Sequence, residues 1–162
     1  MRIAKVRDVK TPTRGTPGSA GLDFYVPEDF GTRILFPSSD ILIPSGVKAD
    51  LPKGTMLIGV DKSGVATSKL ARYKAGMPEK KDGFESSVIV GAKLIDEDYQ
   101  GEIHIHLINI GLTPITIKPG MKIAQFVIVP IIKEDVIVVD ADHLFLEATD
   151  RGAGSFGSTG TY

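Results

Sequence analysis

Glycine and proline interrupt this chain at short intervals and limit the length of any regular element. The 162 residues include 18 Gly and 10 Pro. Many of these gather in clusters such as Pro17-Gly18, Pro44-Ser45-Gly46 and Lys118-Pro119-Gly120. Because glycine adopts backbone angles that other residues avoid and proline fixes its own φ, each cluster favours a turn between apolar segments. The frequent turn-forming clusters therefore predict many short strands.

The segments between the turns are rich in β-branched residues, which favour strands. We predict strands at Ile41–Ile43, Met56–Val60, Val88–Val90, Ile103–Ile110, Ile115–Ile117, Ile123–Val129 and Val136–Val139. Within Ile103–Leu107 the apolar residues alternate with His104 and His106, so one face of this strand is expected to pack inward. Short strands at this spacing are typical of a β sandwich or a jelly-roll barrel, and the sequence predicts an all-β fold.

One helix is predicted directly after Ser63. Ala66, Leu70 and Tyr73 recur there at helical spacing, and the Ser63 hydroxyl could cap the first turn. The helix is expected to end before Gly76. A charged, turn-forming stretch follows it and predicts a surface loop.

Charge and composition exclude several classes of protein. Nineteen basic and twenty acidic residues give a formal charge of -1, which favours neither a nucleic-acid polymer nor an anionic membrane as partner. The N-terminus has no apolar targeting segment, and the longest apolar stretch, Ile123–Ile132, is too short to span a bilayer. The chain has no Cys, which excludes disulfides and thiolate zinc sites. We therefore expect a soluble, intracellular, cytoplasmic protein.

The length is that of one domain, and neither an internal repeat nor a domain boundary is evident. We predict a single β-barrel domain over residues 1–150 and a flexible, Gly-rich C-terminal arm over residues 151–162. The arm combines Gly with Ser and Thr and has too little apolar surface to order itself without a ligand or a partner. Judged by composition alone, it equally fits an ordinary disordered end.

Five segments, in this order along the chain, resemble the five motifs of the trimeric dUTPase family. They are AGLDFY from Ala20, DKSGVA from Asp61, KLIDEDYQGE from Lys93, GMKIAQ from Gly120 and RGAGSFGSTG from Arg151. The resemblance implies a jelly-roll-like, distorted β barrel of the dUTPase type with one short helix. It also implies a homotrimer with shared active sites, which hydrolyses dUTP to dUMP and pyrophosphate as a dUTP diphosphatase.

The resemblance assigns the catalytic role to Asp96, whose carboxylate would orient and activate a water for in-line attack at the α-phosphorus. Judged by spacing alone, Asp96 and Asp98 equally fit the turn of a hairpin. Asp23 would support the site through waters around the metal. Mg²⁺ is expected to arrive with the triphosphate, held by phosphate oxygens and water and by no direct protein ligand.

By the same resemblance, backbone groups of the hairpin that includes Gly91, Lys93 and Ile95 read the uracil. Lys93 stands where the family commonly has Gly. Tyr99 would pack its ring against the sugar, so that a 2'-hydroxyl would clash and deoxyribose is preferred. Without the motif, a Tyr at this place equally fits ordinary packing.

The resemblance assigns phosphate contacts to Lys62, Ser63, Gly64 and Gln125. Lys62 stands where the family usually has Arg, and it keeps the charge but not the bidentate geometry. Judged without the motifs, Ser63 equally fits a plain helix N-cap, and Gln125 equally fits a core amide.

In the arm, the resemblance pairs Arg151 with the γ-phosphate and stacks Phe156 on the uracil. Gly157, Ser158 and Thr159 would supply backbone and hydroxyl donors around the terminal phosphate.

Three further points stay open at the level of sequence. Compared with typical members of the family, the chain carries an insert at about residues 70–86, which fits a surface loop or a segment that affects substrate access or partner binding. His104 and His106 share a strand face, but no third zinc ligand is evident. A dCTP deaminase-related nucleotide enzyme and a non-catalytic dUTP-binding regulatory protein are the alternative functions.

Overall fold

The structure is a computed structural model that describes residues 1–66 and 88–155. Short strands dominate this part of the chain, which also contains one short helix and two 3₁₀ turns. The strands are β1 (Arg2–Lys5), β2 (Leu22–Tyr25), β3 (Arg33–Leu35), β4 (Asp40–Pro44), β5 (Val47–Asp50), β6 (Thr55–Val60), β7 (Val88–Val90), β8 (Leu94–Ile95), β9 (His104–Asn109), β10 (Ile115–Ile117) and β11 (Lys122–Pro130). The helix α1 covers Ser63–Ala66, and the 3₁₀ turns cover Glu28–Phe30 and Ala141–His143.

The strands pair in four antiparallel sheets. The largest has the order β2-β11-β6-β8, a second has the order β4-β9-β7, and two pairs join β1 to β5 and β3 to β10. The predicted all-β class is confirmed. Among the strands that the structure describes, the pairings leave four separate sheets and do not close a barrel.

The core lies between the sheets and follows the predicted alternation. Along β9 the side chains of Ile105 and Leu107 are buried, whereas His104 is exposed and His106 is half-buried. The rings of Phe24 and Phe126 pack with their centroids 4.5 Å apart. Each such side chain contributes about 2 kcal/mol of burial free energy, and both belong to the buried hydrophobic core.

Most predicted strands are present, but the one predicted at Val136–Val139 is wrong. Residues 131–140 form no strand, and Val136 and Val138 are more than 90% exposed. β-branched residues stabilise a strand only where a neighbouring strand completes the hydrogen bonds and packs against them. No described strand of this chain pairs with that segment.

The chain separates into two compact units, Met1–Ile132 and Lys133–Tyr162. All the strands lie in the first unit. The barrel domain over 1–150 and the arm over 151–162 stay a prediction. The predicted helix does begin at Ser63, but its continuation beyond Ala66 and the loop at about 70–86 lie outside the described residues. None of the described helices is long and apolar enough to cross a membrane.

Asn109, at the end of β9, is a buried polar side chain that joins three segments. Its amide nitrogen donates to the carbonyl oxygens of Leu35 at 3.1 Å and of Thr113 at 2.9 Å. Its side-chain oxygen accepts from the Gly111 amide at 3.0 Å. Because buried polar groups are costly when unpaired, this one side chain fixes the loop between β9 and β10 against β3.

We expect the substitution Asn109→Leu to lower the free energy of unfolding by about 3 kcal/mol, because it leaves one amide and two carbonyl groups without partners. Urea denaturation followed by circular dichroism measures this change. Thr113→Val is the matched control in the same loop, since the buried Thr113 hydroxyl has no hydrogen-bond partner among the described residues. A loss as large for Thr113→Val as for Asn109→Leu would contradict the role of Asn109.

Candidate functional site

The centre of the candidate site is the carboxylate of Asp23, which is only 2% exposed on β2. One carboxylate oxygen accepts from the Lys62 ammonium at 2.9 Å and from the Gln125 amide at 3.1 Å. The other lies 2.8 Å from the ammonium nitrogen of Lys122. A buried carboxylate is stable only when charge and hydrogen bonds compensate for lost water, and these three side chains supply both.

Strand register brings these partners together. Gln125 of β11 lies opposite Asp23 of β2, and Lys122 lies opposite Tyr25. In a regular strand Lys122 and Gln125 would point to opposite faces, because they are three residues apart. The register shifts between Lys122 and Ala124, so both side chains reach the same carboxylate. Lys122 is the site residue that the sequence analysis missed, and a bulge of this kind gives no clear signal in the sequence.

Burial by itself raises the pKa of Asp23, but the hydrogen bonds from Lys122, Lys62 and Gln125 outweigh it and lower the pKa to about 2. The hydrogen bond to Asp23 in turn raises the pKa of Lys122. The cluster is therefore ionised at neutral pH, with two positive charges around one negative charge. The excess positive charge is suited to an anionic ligand.

The junction between β6 and α1 links this cluster to the next sheet. The Asp61 carboxylate accepts from the Val90 amide at 2.6 Å. The carbonyl oxygen of Lys62 accepts from the amides of Val65 and Ala66, both at 2.8 Å, and so begins the helix. Ser63 is the first residue of α1, and a Cβ added at Gly64 would have no atom of the described residues within 4 Å. Lys62, Ser63 and Gly64 thus follow directly from the strand that pairs with β11.

Residues 91–93 connect β7 in one sheet to β8 in another and are held from both sides. The amide of Gly91 donates to the carbonyl oxygen of His106 at 2.9 Å, and the amide of Gly59 donates to the carbonyl oxygen of Lys93 at 2.7 Å. Lys93 itself is exposed, so this position accepts a long side chain. Ile95 is half-buried in β8, where it pairs with Leu57 of β6.

Asp96 follows β8 and is exposed at a tight turn. The Tyr99 amide donates to the carbonyl oxygen of Asp96 at 3.2 Å, so the backbone has the predicted turn geometry while the carboxylate faces solvent. The Tyr99 hydroxyl donates to the carbonyl oxygen of Glu102 at 3.0 Å. Its ring lies so close to Gly101 that a Cβ there would overlap it. Gly101 therefore permits the observed orientation of Tyr99.

Of the predicted site residues in the arm, the structure describes Arg151, which is exposed in the second unit and donates to the carbonyl oxygen of Gly154 at 3.1 Å. Phe156, Gly157, Ser158 and Thr159 lie outside the described residues.

The structure thus brings together three of the predicted site residues, Asp23, Lys62 and Gln125, and adds Lys122. Within residues 1–66 and 88–155, no three His, Asp or Glu side chains are grouped closely enough to hold a metal ion.

Comparisons with known proteins identify the family of this chain. The family model described as dUTPase matches residues 77–160. The deoxyuridine 5'-triphosphate nucleotidohydrolase of Pseudomonas putida is 38% identical over 153 residues, which cover 93% of this chain and 87% of that protein. The chain therefore belongs to the dUTPase family.

Solved structures of two phage proteins share the fold. The Staphylococcus bacteriophage 80alpha dUTPase, a mutant with dUpNHpp, is 21% identical with a TM-score of 0.75, and the match covers 98% of this chain and 97% of that one. A mutant dUTPase from phage phi11 of S. aureus, whose structure describes the coordination of a structural Mg(II) ion, is 19% identical with a TM-score of 0.68. That match covers 86% of this chain and 95% of that one.

We expect Asp23→Asn to lower the free energy of unfolding at pH 7 by about 2 kcal/mol, because the folded-state pKa of Asp23 lies below its ordinary value of 3.8. A carboxylate whose pKa is lowered by folding stabilises the folded protein at pH values above its ordinary pKa. This contribution is lost as the pH falls towards 2. The difference between variant and wild type should therefore shrink between about pH 4 and pH 2. Urea denaturation over this range measures it.

Asp50→Asn is the control, because it removes an exposed ion pair with Arg2 and should leave stability nearly unchanged. A difference between Asp23→Asn and wild type that stays constant from pH 7 to pH 2 would contradict the proposed ionisation of Asp23.

Proposed function

We propose that this protein hydrolyses dUTP to dUMP and pyrophosphate, as a dUTP diphosphatase. The observation that carries the proposal is the Asp23 cluster. Asp23, Lys62 and Gln125 come from three separate dUTPase motifs, yet their side chains meet in one set of hydrogen bonds. Such convergence of distant motif residues is expected of a functional site in a chain of this family.

The proposed reaction is attack by a water oxygen on the α-phosphorus, in line with the bond to the leaving pyrophosphate. The new bond joins the water oxygen to phosphorus, the bond to the bridging oxygen between the α and β phosphates breaks, and Asp96 accepts the proton. Asp96 is exposed, and its backbone is held by the turn to Tyr99, which is consistent with this role.

Uracil and deoxyribose would be recognised by the segment from Gly91 to Tyr99. The backbone of Gly91, Lys93 and Ile95 would read the base, because amide and carbonyl groups can imitate a pairing base. The carbonyl of Lys93 already accepts from Gly59, and this bond holds the backbone while the Lys93 side chain remains outside. The Tyr99 ring, held by its bond to Glu102, would leave no room for a 2'-hydroxyl.

The triphosphate would be held by Lys62, Ser63, Gly64 and Gln125, and Lys122 supplies further positive charge beside them. Two of these groups already contact Asp23, which holds them in one orientation before the substrate arrives. Preorganised donors stabilise charge that develops on a phosphate without a further cost of reorientation.

Mg²⁺ is the proposed cofactor. The described residues provide no compact set of carboxylates, and the Asp23 oxygens already accept from lysines. This donor set fits a metal that is held mainly by the phosphate oxygens of the substrate and by water. When bound, Mg²⁺ would neutralise part of the triphosphate charge.

A homotrimer with shared active sites is the proposed assembly. The apolar segment 136–139 is exposed in the single chain, and Leu146 beyond it is 96% exposed. Large apolar side chains exposed one after another favour contact with another subunit. A neighbouring subunit would supply the strand partner that this segment lacks among the described strands.

The C-terminal arm is proposed to complete the site. Arg151 would pair with the γ-phosphate, Phe156 would stack on the uracil, and Gly157, Ser158 and Thr159 would surround the terminal phosphate. Arg151 is exposed in the single chain, so its guanidinium is available for a bidentate contact with phosphate.

We expect Asp96→Asn to lower kcat for dUTP by about three orders of magnitude or more, with little change in substrate affinity, since the side chain acts on the attacking water. Pyrophosphate release in the presence of Mg²⁺ measures kcat, and calorimetry with a non-hydrolysable dUTP analogue measures affinity. Asp98→Asn is the matched control, because Asp98 is an exposed carboxylate two residues away.

Three outcomes would contradict the proposal. Equal loss of affinity and turnover in Asp96→Asn would reject its role on the water. Release of ammonia from dCTP would favour a deaminase. Tight binding of dUTP without any turnover in the intact protein would favour a regulatory binding protein.

Truncation before Arg151 should lower kcat/KM for dUTP by at least about a hundredfold and leave the melting temperature within a few degrees, because the arm would contact substrate and not the core. Steady-state kinetics and differential scanning calorimetry check the two halves of this expectation. A large fall in the melting temperature would instead indicate a structural arm.

A further inference from the structure

His106 lies directly against the segment that joins β7 to β8. Its carbonyl oxygen accepts from the Gly91 amide at 2.9 Å. Its ring nitrogen Nδ1 lies 3.2 Å from the Ala92 amide nitrogen. The other ring nitrogen, Nε2, lies 3.0 Å from the Asp40 carboxylate. One residue thus accepts from two consecutive amides and also contacts a carboxylate on β4.

These contacts define the tautomer of the ring. The Ala92 amide can only donate, so Nδ1 carries its lone pair and accepts. The ring proton is then on Nε2, which donates to Asp40. β4 pairs with β9, with Leu42 opposite His106, so Asp40 lies diagonally across from the histidine. Asp40 therefore orients a ring whose accepting side faces Ala92.

The fit between the ring and the segment is close. A Cβ on Gly91 would overlap the His106 ring. The ring can therefore reach Ala92 only because position 91 has no side chain. A second anchor of this segment is the hydrogen bond from the Gly59 amide to the carbonyl oxygen of Lys93. With His106 on one side and Gly59 on the other, three consecutive residues between two sheets are held in place.

We propose that His106 is a positioning residue for base recognition, which holds the Gly91–Ala92 backbone at the spacing that distinguishes uracil from other pyrimidines. The inference rests on the proposed function, in which this backbone reads the base. Cytosine differs from uracil at the 4-position, and thymine carries a 5-methyl group. Discrimination against both requires a backbone that does not shift, because small displacements of a hydrogen-bonding site remove its selectivity.

The test compares His106→Ala with His106→Asn, whose side-chain oxygen can replace Nδ1 as the acceptor. Both variants keep the backbone bond to Gly91, so they isolate the ring contact with Ala92. For His106→Ala we expect KM for dUTP to rise about tenfold while kcat changes by less than about threefold. The preference for dUTP over dCTP and dTTP, as the ratio of kcat/KM values, should fall by a similar factor. His106→Asn should recover most of both losses.

Asp40→Ala gives a second measurement that leaves the histidine and the core in place, because Asp40 is exposed. Freed from Asp40, the ring can rotate or change tautomer, and we expect part of the same rise in KM. Asp40→Asn keeps an oxygen that can accept from Nε2 of His106, so its rise in KM should be smaller than that of Asp40→Ala. His104→Ala is the matched control on the same strand, because His104 is an exposed histidine whose ring contacts the Glu102 carbonyl oxygen, whereas the Gly91 and Ala92 amides donate to His106. It should leave KM and base preference within about twofold of wild type.

Unchanged base preference in both His106→Ala and Asp40→Ala would overturn the proposal. A loss of kcat and melting temperature without a change in preference would also overturn it and assign a purely structural role. Hydrogen exchange at the Ala92 amide, which should be faster in His106→Ala, tests the contact without substrate. If the wild-type protein does not hydrolyse dUTP, the proposed function fails. The contact between His106 and Ala92 is still supported in that case if the Ala92 amide exchanges slowly in wild type and fast in His106→Ala.

Discussion

The Asp23 carboxylate is almost fully buried and accepts hydrogen bonds from two lysines and a glutamine. Burial of a lone carboxylate costs several kcal/mol, so this group can exist on β2 only while its partners remain in place. Its partners come from the end of β6 and from β11. The same bonds that stabilise the carboxylate therefore fix the cationic side chains proposed to meet the triphosphate.

A second constraint is the segment that leaves one sheet and enters another between β7 and β8. A backbone that passes between sheets loses its ladder of hydrogen bonds, so other groups must satisfy its amides. Asp61 accepts from Val90 and His106 accepts from Gly91 and Ala92. These contacts place the proposed base-reading segment next to the Asp23 cluster, since Lys62 follows Asp61 directly. The base and phosphate ends of the proposed site are thus linked through one short stretch of chain.

Local pattern was sufficient to predict much of the fold. The period-2 alternation of β9 predicted its buried face, and the turn residues predicted most strand boundaries to within one or two residues. The resemblance of the motifs to the dUTPase family predicted Asp23, Lys62 and Gln125 as site residues, and the structure brings their side chains together. The short strands β1, β2, β3, β5 and β8 were not predicted, because they contain too few β-branched residues in sequence to stand out, and only pairing with a partner defines them.

What the sequence by itself determined is the class of fold, the order of its motifs and the residue types available for chemistry, because these follow from local propensity and composition. Only the tertiary structure decided which side chains meet. The register shift in β11 turned Lys122 towards Asp23, and the missing Cβ of Gly91 let His106 reach Ala92. The run at Val136–Val139 has the propensity of a strand but none of the described strands pairs with it. Side-chain contacts and strand pairings depend on residues far apart in the chain, and no local sequence pattern predicts them.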